Sequence, residues 1–323
     1  MVLKNVTRFL SLSCLLLALS GPVVQAQVAP AASGADDLPK GREALFAYDR
    51  NAPLAVMEKG SEKGVGFVTR DITFDGLSGA PVAAYVVSPE GKGPFAAVLW
   101  VHWLGDPATT NRTEFLAEAK ALAAQGVVSV LVDAMWSNAV SPDWFGSRVP
   151  EQDHANSIRQ VIALRRAMDL LVAQPGVDPA RVGIVGHDYG GMYSMLMAGV
   201  DRRARAYVYV AVVPSLNDWA FLGPQPKSKA AYVRENADLE LTDALREVKG
   251  AATLLQFGTK DAYVSRADTG VVAAAAGTRN RRFYDDEHAM TLPQVRLDRD
   301  AFLAKELAFE PPPRTEAPVS PVR

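Results

Sequence analysis

Four histidines, one cysteine and one glycine-rich turn bound the chemistry open to this 323-residue chain. The cysteine, Cys14, lies in an apolar amino-terminal run, which leaves the folded part without a thiolate nucleophile, a disulfide or a thiolate metal cluster. The turn is Gly186-His187-Asp188-Tyr189-Gly190-Gly191, which follows the apolar run 182–185 and precedes the helical stretch 192–199. A strand that turns this sharply into a helix holds its central side chain on a strained backbone with the tip exposed. The flanking positions need glycine because a Cβ there would strike neighbouring chain. The centre here is Asp188. An aspartate is ionised at neutral pH without help from a base. Attack on an ester carbonyl would give it an anhydride and little advantage. Attack on saturated carbon displaces a halide or opens an epoxide, leaving an alkyl ester that water can cleave.

The elements that must hold this turn alternate along the chain. Residues 65–74 and 82–87 read as an antiparallel pair, and 96–101 as a strand buried on both faces. A helix over 113–124 puts Phe115, Leu116, Ala119 and Leu122 on one face and ends at Gly126. Strand 127–132 follows, then a loop over 137–152 and a helix over 155–173. Residues 206–213 and 253–257 are two more buried strands, separated by a polar, largely helical insertion over 215–249. Strand 281–284 closes the sheet, and a helix over 293–308 ends the ordered part. The pattern specifies an α/β fold: a mostly parallel eight-stranded sheet, helices on both faces and a short insertion after the sixth strand. No internal repeat or later boundary divides residues 61–309, which read as one domain.

The stretch "VDPARVGIVGHDYGG" resembles the α/β-hydrolase superfamily and, within it, the dienelactone hydrolase branch, whose members usually carry cysteine or serine where Asp188 stands. The resemblance covers roughly residues 66–307. "GHDYGG" is also similar to the "GHDWGG" style of epoxide hydrolases and of haloalkane and fluoroacetate dehalogenases. The superfamily order of nucleophile, acid and histidine implies roles for Asp261, in "QFGTKDAYV", and His288, in "FYDDEHAM". His288 would activate water while Asp261 holds its other ring nitrogen. The stretch "VLWVHWLGD" falls at the oxyanion loop, which makes the backbone N–H groups of Trp103 and Tyr189 the expected donor pair.

Leaving-group assistance has several candidates. Halide sites of the resembled enzymes usually place a tryptophan after the nucleophile, where this chain has Tyr189; Trp103 and Trp136 could supply donors from nearby loops. Epoxide opening commonly uses lid tyrosines, and Tyr232 lies in the insertion. His102 is a further pocket candidate, with a structural role as its plainer reading; His154 begins a helix, and His187 points away from the nucleophile. Two rivals to the nucleophile stay open. Asp188 could act as general base in an ester or lactone hydrolase, or the chain could be a catalytically silent small-molecule binder.

A hydrophobic content of 49% with 22% charged residues allows a large core, and a net charge of −2 gives no electrostatic case for a nucleic-acid partner. No metal or other cofactor is implied, and the expected partner is a small-molecule substrate. Residues 1–26 read as a secretory signal: Lys4 and Arg8 start it, an apolar run follows, and Val24-Gln25-Ala26 offers a cleavage site. The mature chain would be periplasmic or secreted, without stable membrane association. Residues 27–60 read as linker and amino-terminal extension, and 310–323 as a disordered Pro-rich tail.

Overall fold

The valine-rich runs of the chain are buried along their whole length, so they need cover on both faces of a sheet. The computed structural model, which describes residues 41–313, supplies that cover. The signal expected over 1–26, the linker up to residue 40 and the tail beyond residue 313 lie outside the described residues.

A short helix α1 (Arg42–Leu45) precedes an antiparallel meander of β1 (Met57–Lys63), β2 (Phe67–Asp75) and β3 (Pro81–Pro89). Strand and helix then alternate through β4 (Phe95–Val101), α2 (Leu116–Ala123), β5 (Val127–Val132), α3 (Trp144–Ser147), α4 (Asp153–Val172), β6 (Val177–His187), α5 (Tyr189–Ala198) and β7 (Ala206–Val210). The insertion holds α6 (Leu216–Ala220), α7 (Lys229–Glu235) and α8 (Leu241–Glu247). It leads to β8 (Ala252–Gly258), α9 (Arg266–Ala275), β9 (Arg281–Tyr284) and α10 (Pro293–Leu307).

The sheet has nine strands in the order β1-β2-β3-β5-β4-β6-β7-β8-β9, parallel from β5 onward. The additional strand is β1, which crosses the boundary expected at residue 61 between the amino-terminal extension and the domain. All seven of its residues are exposed, so no burial pattern marks it in the sequence. Its Lys and Glu side chains suit an edge that must not recruit another strand. One core layer packs α4, α5, α8 and α9 on one face, and a second packs α2 and α10 on the other. Parallel strands deliver their carboxyl ends to one edge of the sheet. The loops after β4, β6, β8 and β9 therefore leave side by side, at the place where α/β sheets present reacting groups.

Candidate active site

Strand β6 ends at His187 and helix α5 begins at Tyr189, so Asp188 alone makes the turn, with φ 52° and ψ −121°. A non-glycine residue held there costs on the order of 1–3 kcal/mol, which surrounding bonds must offset. Its N–H donates to the Val210 carbonyl of β7 at 2.9 Å, and its carbonyl accepts the Met192 N–H at 2.9 Å. Gly190 allows the close approach of this turn to β4. A Cβ there would sit 2.5 Å from the His102 carbonyl oxygen and also strike that of Val101.

The Asp188 side chain is fully buried, and its two oxygens differ. Oδ2 accepts the backbone N–H of Leu104 at 3.0 Å. Oδ1 has no hydrogen-bond partner and faces His288 Nε2, also without a partner, at 3.8 Å. That separation is a Coulombic contact rather than a hydrogen bond. On its other side His288 Nδ1 donates to Asp261 Oδ2 at 2.8 Å, while Asp261 Oδ1 accepts the N–H groups of Tyr263 at 2.8 Å and Val264 at 3.0 Å. Burial disfavours charge on the imidazole, but the carboxylates of Asp188 and Asp261 outweigh it and push His288 up to about 9. Burial works against Asp261 as well, yet the His288 ring and the two N–H donors hold its carboxyl below the usual range. The His288 loop is itself pinned by Asp286, whose oxygens accept the N–H groups of Glu287 at 2.9 Å and Leu292 at 2.8 Å.

The structure thus brings Asp188, Asp261 and His288 together, but it redistributes the donors. Trp103 is not an oxyanion donor: its backbone N–H is taken by Glu114 Oε2 at 2.7 Å, and the next residue, Leu104, reaches Asp188 instead. Tyr189 opens α5, so its N–H is one of the donors that a helix leaves unpaired. The expected leaving-group donors are engaged elsewhere. Trp103 Nε1 donates to Thr109 Oγ1 at 2.9 Å, Trp136 Nε1 to the His102 carbonyl at 3.1 Å, and the Tyr232 hydroxyl to Asp153 Oδ2 at 2.8 Å. His102 is structural: Nδ1 donates to the Trp103 carbonyl at 2.8 Å, Nε2 accepts the Ala134 N–H at 3.0 Å, and burial keeps the ring neutral. His154 pairs with Asp238 at 2.9 Å, tying α4 to the insertion.

The site is closed by aromatic side chains. The Trp219 ring of α6 lies 5.3 Å from that of His288 and 5.6 Å from that of Tyr189, and Tyr263 sits edge-on to His288 at 5.2 Å. On the far side of Tyr189, a cavity of about 20 Å³ is lined by Trp144, Arg148, Asp153, Tyr193 and Tyr232. That is room for roughly one water. The Tyr189 hydroxyl is buried without a partner, and burial pushes it well above the usual phenol range, so it stays protonated. Glu114 and Arg148 carry no sequence signal for these positions, whereas Leu104 lies within the stretch expected at the oxyanion loop. Among the described residues no group of three or more His, Cys, Asp or Glu side chains could hold a metal ion, and no helix is long and apolar enough to cross a membrane.

A sequence profile of the prolyl oligopeptidase family matches residues 113–284. Among curated proteins, none matches the sequence. The fold is similar to that of acetyl xylan esterase 1 from a Thermoanaerobacterium species, with TM-score 0.65 and 17% identity over 82% of this chain and 92% of that one. It is also similar to an acetyl xylan esterase from a Paenibacillus species, with TM-score 0.64 and 18% identity over 82% and 92% of the two chains. A 2,6-dihydroxy-pseudo-oxynicotine hydrolase follows, with TM-score 0.53 and 18% identity over 75% and 70%. Likeness at these identities carries the α/β-hydrolase fold and nothing of the reaction.

Proposed function

The chain belongs to the prolyl oligopeptidase family, within the α/β-hydrolases, and from that premise and its elbow aspartate we propose that it hydrolyses a small organic substrate through an alkyl ester on Asp188. The observation that carries this reading is the split environment of the carboxylate. A backbone N–H in an oxyanion hole sits where negative charge develops. Here the Leu104 N–H is aimed at the aspartate's own Oδ2, so the carbon whose tetrahedral charge it would stabilise is Asp188 Cγ. The other oxygen is left without a partner, facing the imidazole.

In the first half, an Asp188 Oδ1 lone pair forms a bond to carbon as the carbon–halogen or epoxide carbon–oxygen bond breaks. A halide leaves as the anion; an epoxide oxygen takes a proton from His288, which is cationic at neutral pH. Esterification removes the Asp188 charge, so the imidazole loses one of the two carboxylates that favour its proton. After epoxide opening His288 is already neutral; after halide departure the imidazolium first releases its proton to solvent, and neutral His288 then accepts a proton from water as the water oxygen bonds to Cγ. The resulting oxyanion on Oδ2 meets the N–H of Leu104 and, at the start of α5, that of Tyr189. Collapse releases the alcohol and returns a carboxylate carrying one oxygen from water. Because the carboxylate is sealed, substrate entry requires the Trp219 segment to move.

A second reading is ester hydrolysis with Asp188 as general base toward water, supported by the family. Repeated turnover in heavy-oxygen water separates the two. Using a panel of halides, epoxides and esters, label in the Asp188 peptide supports the nucleophile. Label confined to the product supports the base, and no turnover of any compound overturns both. Export through residues 1–26 belongs to the same proposal and is checked by whether the purified protein begins at Gln27.

A further inference from the structure

Glu114 lies just ahead of α2, and no step above uses it. Its side chain is only 13% exposed, and its two oxygens serve different segments. Oε2 accepts the Trp103 backbone N–H at 2.7 Å, immediately before the Leu104 N–H that reaches Asp188. Oε1 accepts from His187 Nδ1 at 2.7 Å, and His187 Nε2 donates to the backbone carbonyl of His288 at 3.0 Å. The His187 ring is itself buried, stacked beneath the Trp103 indole at a centroid distance of 4.8 Å and an angle of 10°. Both of its partners present oxygens, and a ring with hydrogens on both nitrogens satisfies a carboxylate at one end and a carbonyl at the other.

One carboxylate and one imidazole therefore join three segments: the loop that supplies the Leu104 donor, the residue before the elbow, and the loop that carries His288. A carboxylate accepts on both oxygens, an imidazolium donates from both nitrogens, and the pair bridges the gap with no orphaned polar atom. We infer that Glu114 and His187 form a charged positioning pair that keeps the Leu104 N–H and the His288 imidazole in register with Asp188. This rests on the reading of Asp188 and His288 as the reacting groups. Neither residue touches substrate. Their effect passes through the backbone of residues 103–104 and 288.

Two variants separate a positioning role from a merely structural one. In Glu114→Gln the amide oxygen can still accept the Trp103 N–H while its NH2 donates to His187 Nδ1. The ring then becomes neutral and keeps its Nε2–H on the His288 carbonyl. The geometry survives without the charge. Glu114→Ala cuts both links. The full chain is studied by NMR of the imidazole N–H groups without substrate, and by kcat and KM with p-nitrostyrene oxide or p-nitrophenyl acetate, whichever is turned over. In the wild type, His187 shows two ring hydrogens; in Glu114→Gln it shows only that on Nε2. Glu114→Ala loses about 100-fold in kcat, the scale of a misplacement near 1 Å, with KM within about 3-fold, and Glu114→Gln restores most of the loss. A wild-type His187 with a single ring hydrogen overturns the proposal, as does a Glu114→Gln variant as impaired as Glu114→Ala. If the nucleophile reading fails instead, heavy oxygen stays out of Asp188 while the His187 spectra are unaffected.

Discussion

Replacing Asp188 with asparagine should lower the proton affinity of His288. Two unit charges 3.8 Å apart attract by about 4 kcal/mol at an effective dielectric near 20. A third of that is enough to move the imidazole midpoint by about one pH unit. Asparagine adds a second push. The Leu104 N–H requires an oxygen, so the amide NH2 must face His288 Nε2, which can accept from it only when the ring is neutral. The His288 midpoint, about 9 in the wild type, is therefore expected to fall by at least about one unit, read from its ring proton in an NMR titration. Stability follows with a definite sign. A histidine raised from 6.5 to about 9 on folding contributes stability that is fully present below pH 6.5 and lost as pH rises through 9, about 3 kcal/mol in all. Urea unfolding between pH 6.5 and 9 should therefore show a shallower loss in Asp188→Asn than in the wild type. A His288 midpoint that stays put in the variant would refute the assignment of its raised value to Asp188.

Three further outcomes follow from the packing. Trp219→Ala removes the ring lying over His288 and Tyr189 and should speed modification of His288 by diethyl pyrocarbonate; an unchanged rate would mean that Trp219 is not the cover. Gly190→Ala drives a methyl group into the His102 and Val101 carbonyls and should cost about 3 kcal/mol or more, seen as a lower denaturant midpoint. Arg148→Met leaves the buried carboxylate of Asp153 without its guanidinium, 3.1 Å away, and also removes bonds to the Ala220 and Pro224 carbonyls of the insertion. About 3 kcal/mol of lost stability is expected, with a wild-type midpoint as the contrary result.

What the sequence makes legible depends on how locally each feature is determined. Strand, turn and helix around Asp188 can be read because glycine is required on steric grounds within six residues. The positions of Asp261 and His288 follow from the order of β8 and β9 along the chain. Strand β1 could not be read, because a strand exposed on both faces has no alternation to display. The backbone N–H that reaches Asp188 is that of Leu104 rather than Trp103, because Glu114 captures the Trp103 N–H through a contact eleven positions along the chain. Trp136 and Tyr232 look like free donors in a linear sequence. Their acceptors, the His102 carbonyl and Asp153, become neighbours only when distant segments fold together. Nothing in the linear sequence singles out Glu114, which becomes nearly buried and tied to His187 only through a contact 73 positions along the chain.

The most direct test of the covalent step is to stop the reaction halfway. His288→Gln removes the base needed for hydrolysis and leaves the Asp188 carboxylate free to attack. Incubated with an organic halide that the wild type consumes, whose displacement needs no proton from His288, the variant should gain the mass of the organic fragment, on the peptide containing Asp188. The double variant His288→Gln/Asp188→Asn should gain nothing. A His288→Gln protein that keeps its original mass while releasing halide, or an adduct that survives in the double variant, would contradict carbon–oxygen bond formation at Asp188.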